Sequence, residues 1–89
     1  MAKAYVKLPV GMTTAGGERQ IECEATTVAE ALDLAIDAEP RLKQRIFRED
    51  RRMWAGVFLN ARNINALGGL DTPLKDGDML SVVPPISGG

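Results

Sequence analysis

The chain has 89 residues, a formal net charge of -1, 45% hydrophobic residues and 26% charged residues, as expected of one small globular domain. The balanced charge argues against a nucleic-acid-binding protein, and no apolar run approaches the ~20 residues of a membrane span. Histidine is absent and Cys23 is the single cysteine, which excludes an internal disulfide, a multi-cysteine metal cluster and any histidine-dependent catalytic triad.

Two strand-like segments open the chain. Residues 3–10 alternate between polar and apolar side chains, and residues 20–25 do the same, which predicts two half-buried strands. The apolar side of the first strand is formed by Ala4, Val6, Leu8 and Val10. A Gly16-Gly17 turn lies between the strands, so they should form a hairpin with Cys23 as a buried structural thiol. The first strand starts close to Met1 without a signal peptide, and we expect a cytoplasmic protein.

A helix is predicted next. Thr27 and Glu30 have the spacing of a capping box, which marks a helix N-terminus. An apolar stripe at helical spacing follows, consisting of Val28, Ala31, Leu32, Ala35 and Ile36. The helix should end before Pro40, after which Leu42 and Ile46, four residues apart, predict a short second helical turn.

The remaining segments predict a β-grasp domain. A loop over residues 48–53 precedes a strand over 57–60, and a short strand over 62–64 follows. After a Gly68-Gly69 turn and an Asp76-Gly77 turn, residues 79–83 form the last strand. This order indicates an α+β, ubiquitin-like β-grasp fold, a mixed sheet of four to five strands with one main helix packed on one face. Its last strand should be central, beside the first.

Residues 1–83 therefore form the β-grasp domain, and residues 84–89, Pro-Pro-Ile-Ser-Gly-Gly, form a flexible C-terminal tail. The two prolines stiffen its base, while glycine has no Cβ and passes through narrow channels. Fully extended, the tail would span about 20 Å, enough to reach a site inside another protein. A free carboxylate is a poor acyl donor, so a partner enzyme must activate Gly89.

The segment Leu70-Asp71-Thr72-Pro73-Leu74-Lys75-Asp76-Gly77-Asp78, the apolar strand after it and the Pro-Pro-Ile-Ser-Gly-Gly ending resemble the MoaD/ThiS family of ubiquitin-like sulfur carriers. The length and Gly68-Gly69-Leu70 are more similar to its MoaD-like and CysO-like branch.

The resemblance implies that a partner adenylyltransferase, related to ubiquitin-activating enzymes, uses ATP to adenylate Gly89. Sulfur then replaces AMP and gives a thiocarboxylate, which a second, biosynthetic enzyme accepts for molybdopterin, cysteine or another metabolite. Four tail residues would thread into the partner's site: Pro85, Ile86, Ser87 and Gly88. The chain would be a protein cosubstrate with no catalytic residue, metal or bound cofactor of its own, and it is also compatible with the small subunit of molybdopterin synthase.

Two other functions remain open from the sequence. A ubiquitin-like modifier would join Gly89 to lysines of other proteins, through a chemistry that begins in the same way. A non-covalent β-grasp interaction module would not use its tail at all.

Two surfaces are candidates for partner docking. Phe58, between apolar neighbours, should lie on the opposite face of the sheet, where it either contacts a partner together with Arg62 or is covered by the loop containing Trp54. A basic segment comprises Arg41, Lys43, Arg45, Arg48, Arg51 and Arg52. This segment is interpreted as a solvated edge, with partner docking or nucleic-acid binding as alternatives, although few aromatic residues accompany it.

Overall fold

The computed structural model describes residues 1–50, 52–53 and 55–83. Within them, five strands form one mixed sheet in the order β2-β1-β5-β3-β4. The strands are β1 (Ala2–Lys7), β2 (Gln20–Ala25), β3 (Gly56–Leu59), β4 (Arg62–Asn63) and β5 (Asp78–Val83). The α-helices are α1 (Val28–Ala38) and α2 (Leu42–Ile46), and two 3-10 helices span Ile64–Ala66 and Gly69–Asp71. The predicted β-grasp fold is confirmed.

The last strand is central, as predicted. β5 pairs in parallel with β1, where Val6 lies opposite Leu80, and antiparallel with β3, where Leu59 also lies opposite Leu80. β1 and β2 form the predicted antiparallel hairpin. β5 therefore joins the β1–β2 hairpin to the β3–β4 pair.

The first strand is shorter than predicted. β1 ends at Lys7, and Val10 is 97% exposed rather than part of the core. Proline has no N–H to donate to a ladder, and the Pro9 carbonyl instead accepts a hydrogen bond from the Met12 amide at 3.0 Å in a turn. Met12, which the alternation did not identify, is buried in place of Val10.

The helix begins at the predicted cap. The Thr27 hydroxyl accepts a hydrogen bond from the Glu30 amide at 3.3 Å, and the Glu30 carboxylate accepts one from the Thr26 amide at 3.0 Å. Four of the five stripe residues are buried, and Ile36 packs against the core at its edge. α1 ends at Ala38, before Pro40, as predicted. None of the helices in the described residues is long and apolar enough to cross a membrane.

The core lies between the sheet and the two α-helices. Its largest fully buried side chains are Leu32, Leu42, Ile46, Ile64, Leu80, Val6, Val28 and Val57. Cys23 is buried among them, and burial, with a smaller contribution from the Glu22 charge, raises the pKa of its thiol. A raised pKa keeps the thiol protonated and unreactive, which supports its structural role.

The turn between β3 and β4 holds two residues in the left-handed region, Asn60 (φ 49°) and Ala61 (φ 75°). We expect Ala61→Gly to raise the free energy of unfolding by about 1 kcal/mol, because a Cβ in this conformation costs more than the added freedom of glycine in the unfolded chain. Urea denaturation measures the change. Ala66→Gly is the matched control, since Ala66 is exposed without a positive φ and its replacement should lower stability. Equal losses in both variants would contradict the expectation.

Candidate functional site

The base of the tail lies at the end of the central strand. Val83, the last described residue, pairs with Gly56 of β3 and is 48% exposed. The predicted tail residues Pro85, Ile86, Ser87, Gly88 and Gly89 lie outside the described residues. The part of the site that can be described is therefore the platform from which the tail continues, which consists of β5 and the turns and strands that hold it.

Asp78 and Asn60 fix the start of β5. The Asp78 carboxylate accepts hydrogen bonds from the Lys75 amide at 2.7 Å and from the Asn60 side-chain amide at 2.8 Å. The Asn60 side-chain oxygen accepts a hydrogen bond from the Met79 backbone amide at 3.0 Å. The Asn60 backbone amide donates one to the Met79 carbonyl at 2.9 Å. Asn60 thus extends the β3–β5 pairing into the turn. The sequence predicts Asn60 as the last residue of the strand over 57–60, whereas β3 ends at Leu59 and Asn60 lies in the turn, and the sequence does not predict this contact.

The Asp76-Gly77 turn fixes the other side of β5. The Asp76 carboxylate accepts a hydrogen bond from the Lys3 amide at 2.8 Å, and the Gly77 amide donates to the Lys3 carbonyl at 2.8 Å. Gly77 has φ +90°, a conformation that glycine adopts without strain. The two aspartates of this segment therefore join β5 to β1 and β3, and their role in the described structure is architectural.

The segment before this turn is attached to helix α1. The Val28 amide donates to the Thr72 carbonyl at 3.0 Å, and the Leu74 amide donates to the Thr26 carbonyl at 2.9 Å. The buried Thr72 hydroxyl donates to the Gly69 carbonyl at 2.7 Å and accepts from the Gly68 amide at 3.0 Å. Gly68 lies in a turn, as predicted, and Gly69 is the first residue of the 3-10 helix that follows.

The outer face of the sheet, opposite the helices, carries an apolar band around the end of β5. Strand alternation and register place these residues on it: Tyr5, Gly56, Phe58, Met79, Ser81 and Val83. Tyr5 lies opposite Met79, and Phe58 lies opposite Ser81. We call this set the outer band. Its three large side chains, Tyr5, Phe58 and Met79, are half-buried, so they are accessible without being fully exposed.

Phe58 and Arg62 do not share a face. In the antiparallel β3–β4 pair, Phe58 lies opposite Asn63, whereas Arg62 lies opposite the buried Leu59. Directly opposed residues of a ladder project to the same side of the sheet. The register therefore separates the two predicted docking residues, with Phe58 in the outer band and Arg62 exposed at the sheet edge. Trp54, the alternative cover for Phe58, lies outside the described residues.

Comparison with known proteins identifies the family to which this chain belongs. The ThiS family matches residues 10–89. The chain belongs to the ThiS family. The described residues of this ThiS-family chain contain no cluster of side chains suited to hold a metal ion.

Relatives of this ThiS-family chain include carriers and modifiers. It is 29% identical to a protein of Archaeoglobus fulgidus with the provisional name of sulfur carrier protein, covering 94% of this chain and 96% of that one. The solution structure of small archaeal modifier protein 1 (SAMP1) from Methanosarcina acetivorans is 33% identical, with a TM-score of 0.81 and coverage of 100% and 98%. A chain in the Amycolatopsis orientalis BexX/CysO complex is 31% identical, with a TM-score of 0.77 and coverage of 97% and 99%.

The basic segment of this ThiS-family chain is partly engaged in local contacts. Arg41 donates to the Glu39 carboxylate at 2.8 Å and to the Thr13 carbonyl at 2.9 Å, which fastens the residues before α2 to the first loop. The hydrogen bonds from Arg41 lower the pKa of the Glu39 carboxyl. Arg48 and Arg52 both lie within 4.0 Å of Asp50, which offsets part of their charge. Lys43 and Arg45 are exposed on α2, and Arg51 lies outside the described residues.

Proposed function

We propose that this chain carries sulfur as a thiocarboxylate on Gly89. The observation that carries the proposal is the match of the ThiS family to residues 10–89, a range that includes both glycines of the tail. The provisional name of the Archaeoglobus relative supports it, as does the fold, in which the central strand leads into the tail.

The proposed chemistry begins with a carboxylate that cannot react alone. A partner adenylyltransferase of the ubiquitin-activating type transfers AMP from ATP to the Gly89 carboxylate and releases pyrophosphate. Hydrosulfide supplied by a sulfur donor attacks the carbonyl carbon of the resulting mixed anhydride, the bond from that carbon to the AMP oxygen breaks, AMP leaves, and the thiocarboxylate remains on the chain. Pro85, Ile86, Ser87 and Gly88 occupy the partner's channel in this proposal, where the absence of a Cβ at Gly88 lets the backbone approach closely. A biosynthetic enzyme then accepts the sulfur, in the synthesis of molybdopterin, cysteine or another metabolite.

The outer band is the surface that we propose for docking of the adenylyltransferase. The outer band includes Val83, the last described residue before the tail, so a protein that holds the tail lies beside this face. Aromatic and apolar side chains that are accessible at a sheet surface are typical of the centre of an interface, with charged residues at its rim. Phe58 supplies its aromatic contact on β3, and Arg62, which projects to the opposite side of the sheet, is not part of this surface. Lys3 and Lys7, exposed on β1, form its charged rim.

Protein modification is the second candidate function, favoured by the 33% identity to the SAMP1 structure. Adenylation of Gly89 is common to both candidates. They differ in the nucleophile that displaces AMP, which is sulfur for a carrier and, for a modifier, ends as a lysine amine in an isopeptide bond.

Intact-mass analysis of the protein purified from its native cells separates the candidates. A carrier gives a species heavier by the difference between sulfur and oxygen, and this species reverts to the carboxylate on mild hydrolysis. A modifier gives conjugates in which the Gly89 carbonyl is bonded to lysine and survives thiol treatment. A chain that shows neither species under sulfur-replete growth would contradict both. Unchanged partner binding after loss of Gly88 and Gly89 would identify a non-covalent interaction module instead.

A further inference from the structure

Gly56 occupies an unusual place for a glycine. It is the first residue of β3 and pairs with Val83, the last described residue before the tail. Its φ is not in the left-handed region, so the backbone there does not require glycine. A glycine in a strand costs backbone entropy and contributes no side chain to packing, and it often marks a place where another group approaches closely.

The group that approaches Gly56 is the ring of Phe58. A Cβ added at Gly56 would lie 3.1 Å from the Cε1 atom of Phe58 and 3.8 Å from its Cζ atom. The third neighbour is the Val83 carbonyl oxygen, at an ordinary contact distance of 3.8 Å. The ring therefore points along β3 toward Gly56, next to the Gly56–Val83 pair at which β5 ends.

We propose that Gly56 is a positioning residue for docking: the missing Cβ lets the edge of the Phe58 ring lie against the strand at the base of the tail, in the position that the adenylyltransferase contacts. The proposal rests on the proposed function of the outer band and assigns a role within it to a residue that has no side chain. Aromatic rings that cover a glycine on a sheet face shield its backbone from water, which also stabilises the rung between Gly56 and Val83.

Alanine at position 56 separates this role from general destabilisation. The 3.1 Å contact is tighter than nine in ten real Cβ contacts, so Gly56→Ala should push the half-buried ring away by a few tenths of an ångström. Gly16→Ala is the matched control, because Gly16 has no positive φ and its added Cβ would meet neighbours only at 3.7 Å or more. Urea denaturation of each variant reports whether the fold is kept.

The first measurement is the chemical shift of the Gly56 Hα protons. A ring in contact with them displaces their chemical shifts from the values usual for a glycine in a strand, and this displacement should disappear in Phe58→Leu. An unshifted Gly56 in the unmodified chain would overturn the proposal. This measurement needs no partner, so it remains decisive for the ring position even if the chain carries no sulfur.

The second measurement is the rate of thiocarboxylate formation in an extract of the native cells supplied with ATP. Phe58→Ala should lower this rate by about fivefold, the effect of losing one well-packed aromatic contact, and Gly56→Ala should lower it by a smaller factor because it displaces the ring without removing it. The double variant should be no slower than Phe58→Ala, since the glycine acts only through the ring. If Gly56→Ala slows the Phe58→Ala chain by the same factor as it slows the unmodified chain, the proposal is wrong while the carrier function stands. A Phe58→Ala rate equal to that of the unmodified chain would likewise overturn it.

Discussion

Deletion of Gly89 should abolish thiocarboxylate formation completely while leaving the fold unchanged. The described core ends at Val82, and the deleted residue lies beyond it, so the free energy of unfolding should stay within about 0.5 kcal/mol of the original. Loading is measured by intact mass after expression in the native cells, and stability by urea denaturation.

A chain whose Gly89 ends in a carboxamide is the matched control. It keeps every residue and the length of the tail but has no ionised carboxylate to attack ATP, so it should also fail to be loaded. Loading of the amide would show that the terminal carboxylate is not the acceptor. A thiocarboxylate on the Gly89-deleted chain would remove the basis of the proposed function.

Leu80→Ala should have the largest effect on stability. Leu80 is fully buried in the central strand, opposite Val6 on one side and Leu59 on the other. Truncation of such a side chain removes its apolar contacts and leaves a cavity, which costs about 2–5 kcal/mol. Since small domains are stable by only about 5–15 kcal/mol, this loss is a large share of the total, and urea denaturation should show a clearly lowered midpoint.

Ser81→Ala tests whether this effect belongs to the core or to the strand. Ser81 is the next residue of β5, faces the outer side and is half-buried. Its truncation should change the free energy of unfolding by about 0.5 kcal/mol or less. A similar loss in both variants would mean that β5 is sensitive to any substitution and that cavity formation is not the cause.

The strand and helix patterns predicted most of the fold because one face of each element is buried. The alternation over 20–25 and the stripe of α1 correspond to burial in the structure. The prediction failed at Val10, where alternation continued by chance past Pro9, whose missing N–H ends the ladder. A period-two pattern carries no information about where hydrogen bonding stops.

The platform of the site was less predictable than the fold. The Asp76-Gly77 turn was visible, but the bonds of Asp76 to Lys3 and of Asp78 to Asn60 join residues distant in sequence. The same limit explains why Phe58 and Arg62 were predicted to lie on one docking surface. Only the β3–β4 register decides which face of the sheet each residue occupies. Neither the Gly56–Phe58 contact nor the engagement of Arg41 by Glu39 and Thr13 leaves a periodic signal.

The parallel pairing of β1 with β5 has a consequence for biosynthesis. Translation produces β1 well before β5, with Val6 and Leu80 far apart in the chain, so the centre of the sheet forms only after β5 has left the ribosome. Tyr5, Phe58 and Met79 come from three strands and share a surface only after β5 has inserted between the other two. An unfinished or misfolded chain therefore has no assembled outer band, and a partner that docks there would act only on chains that have completed folding.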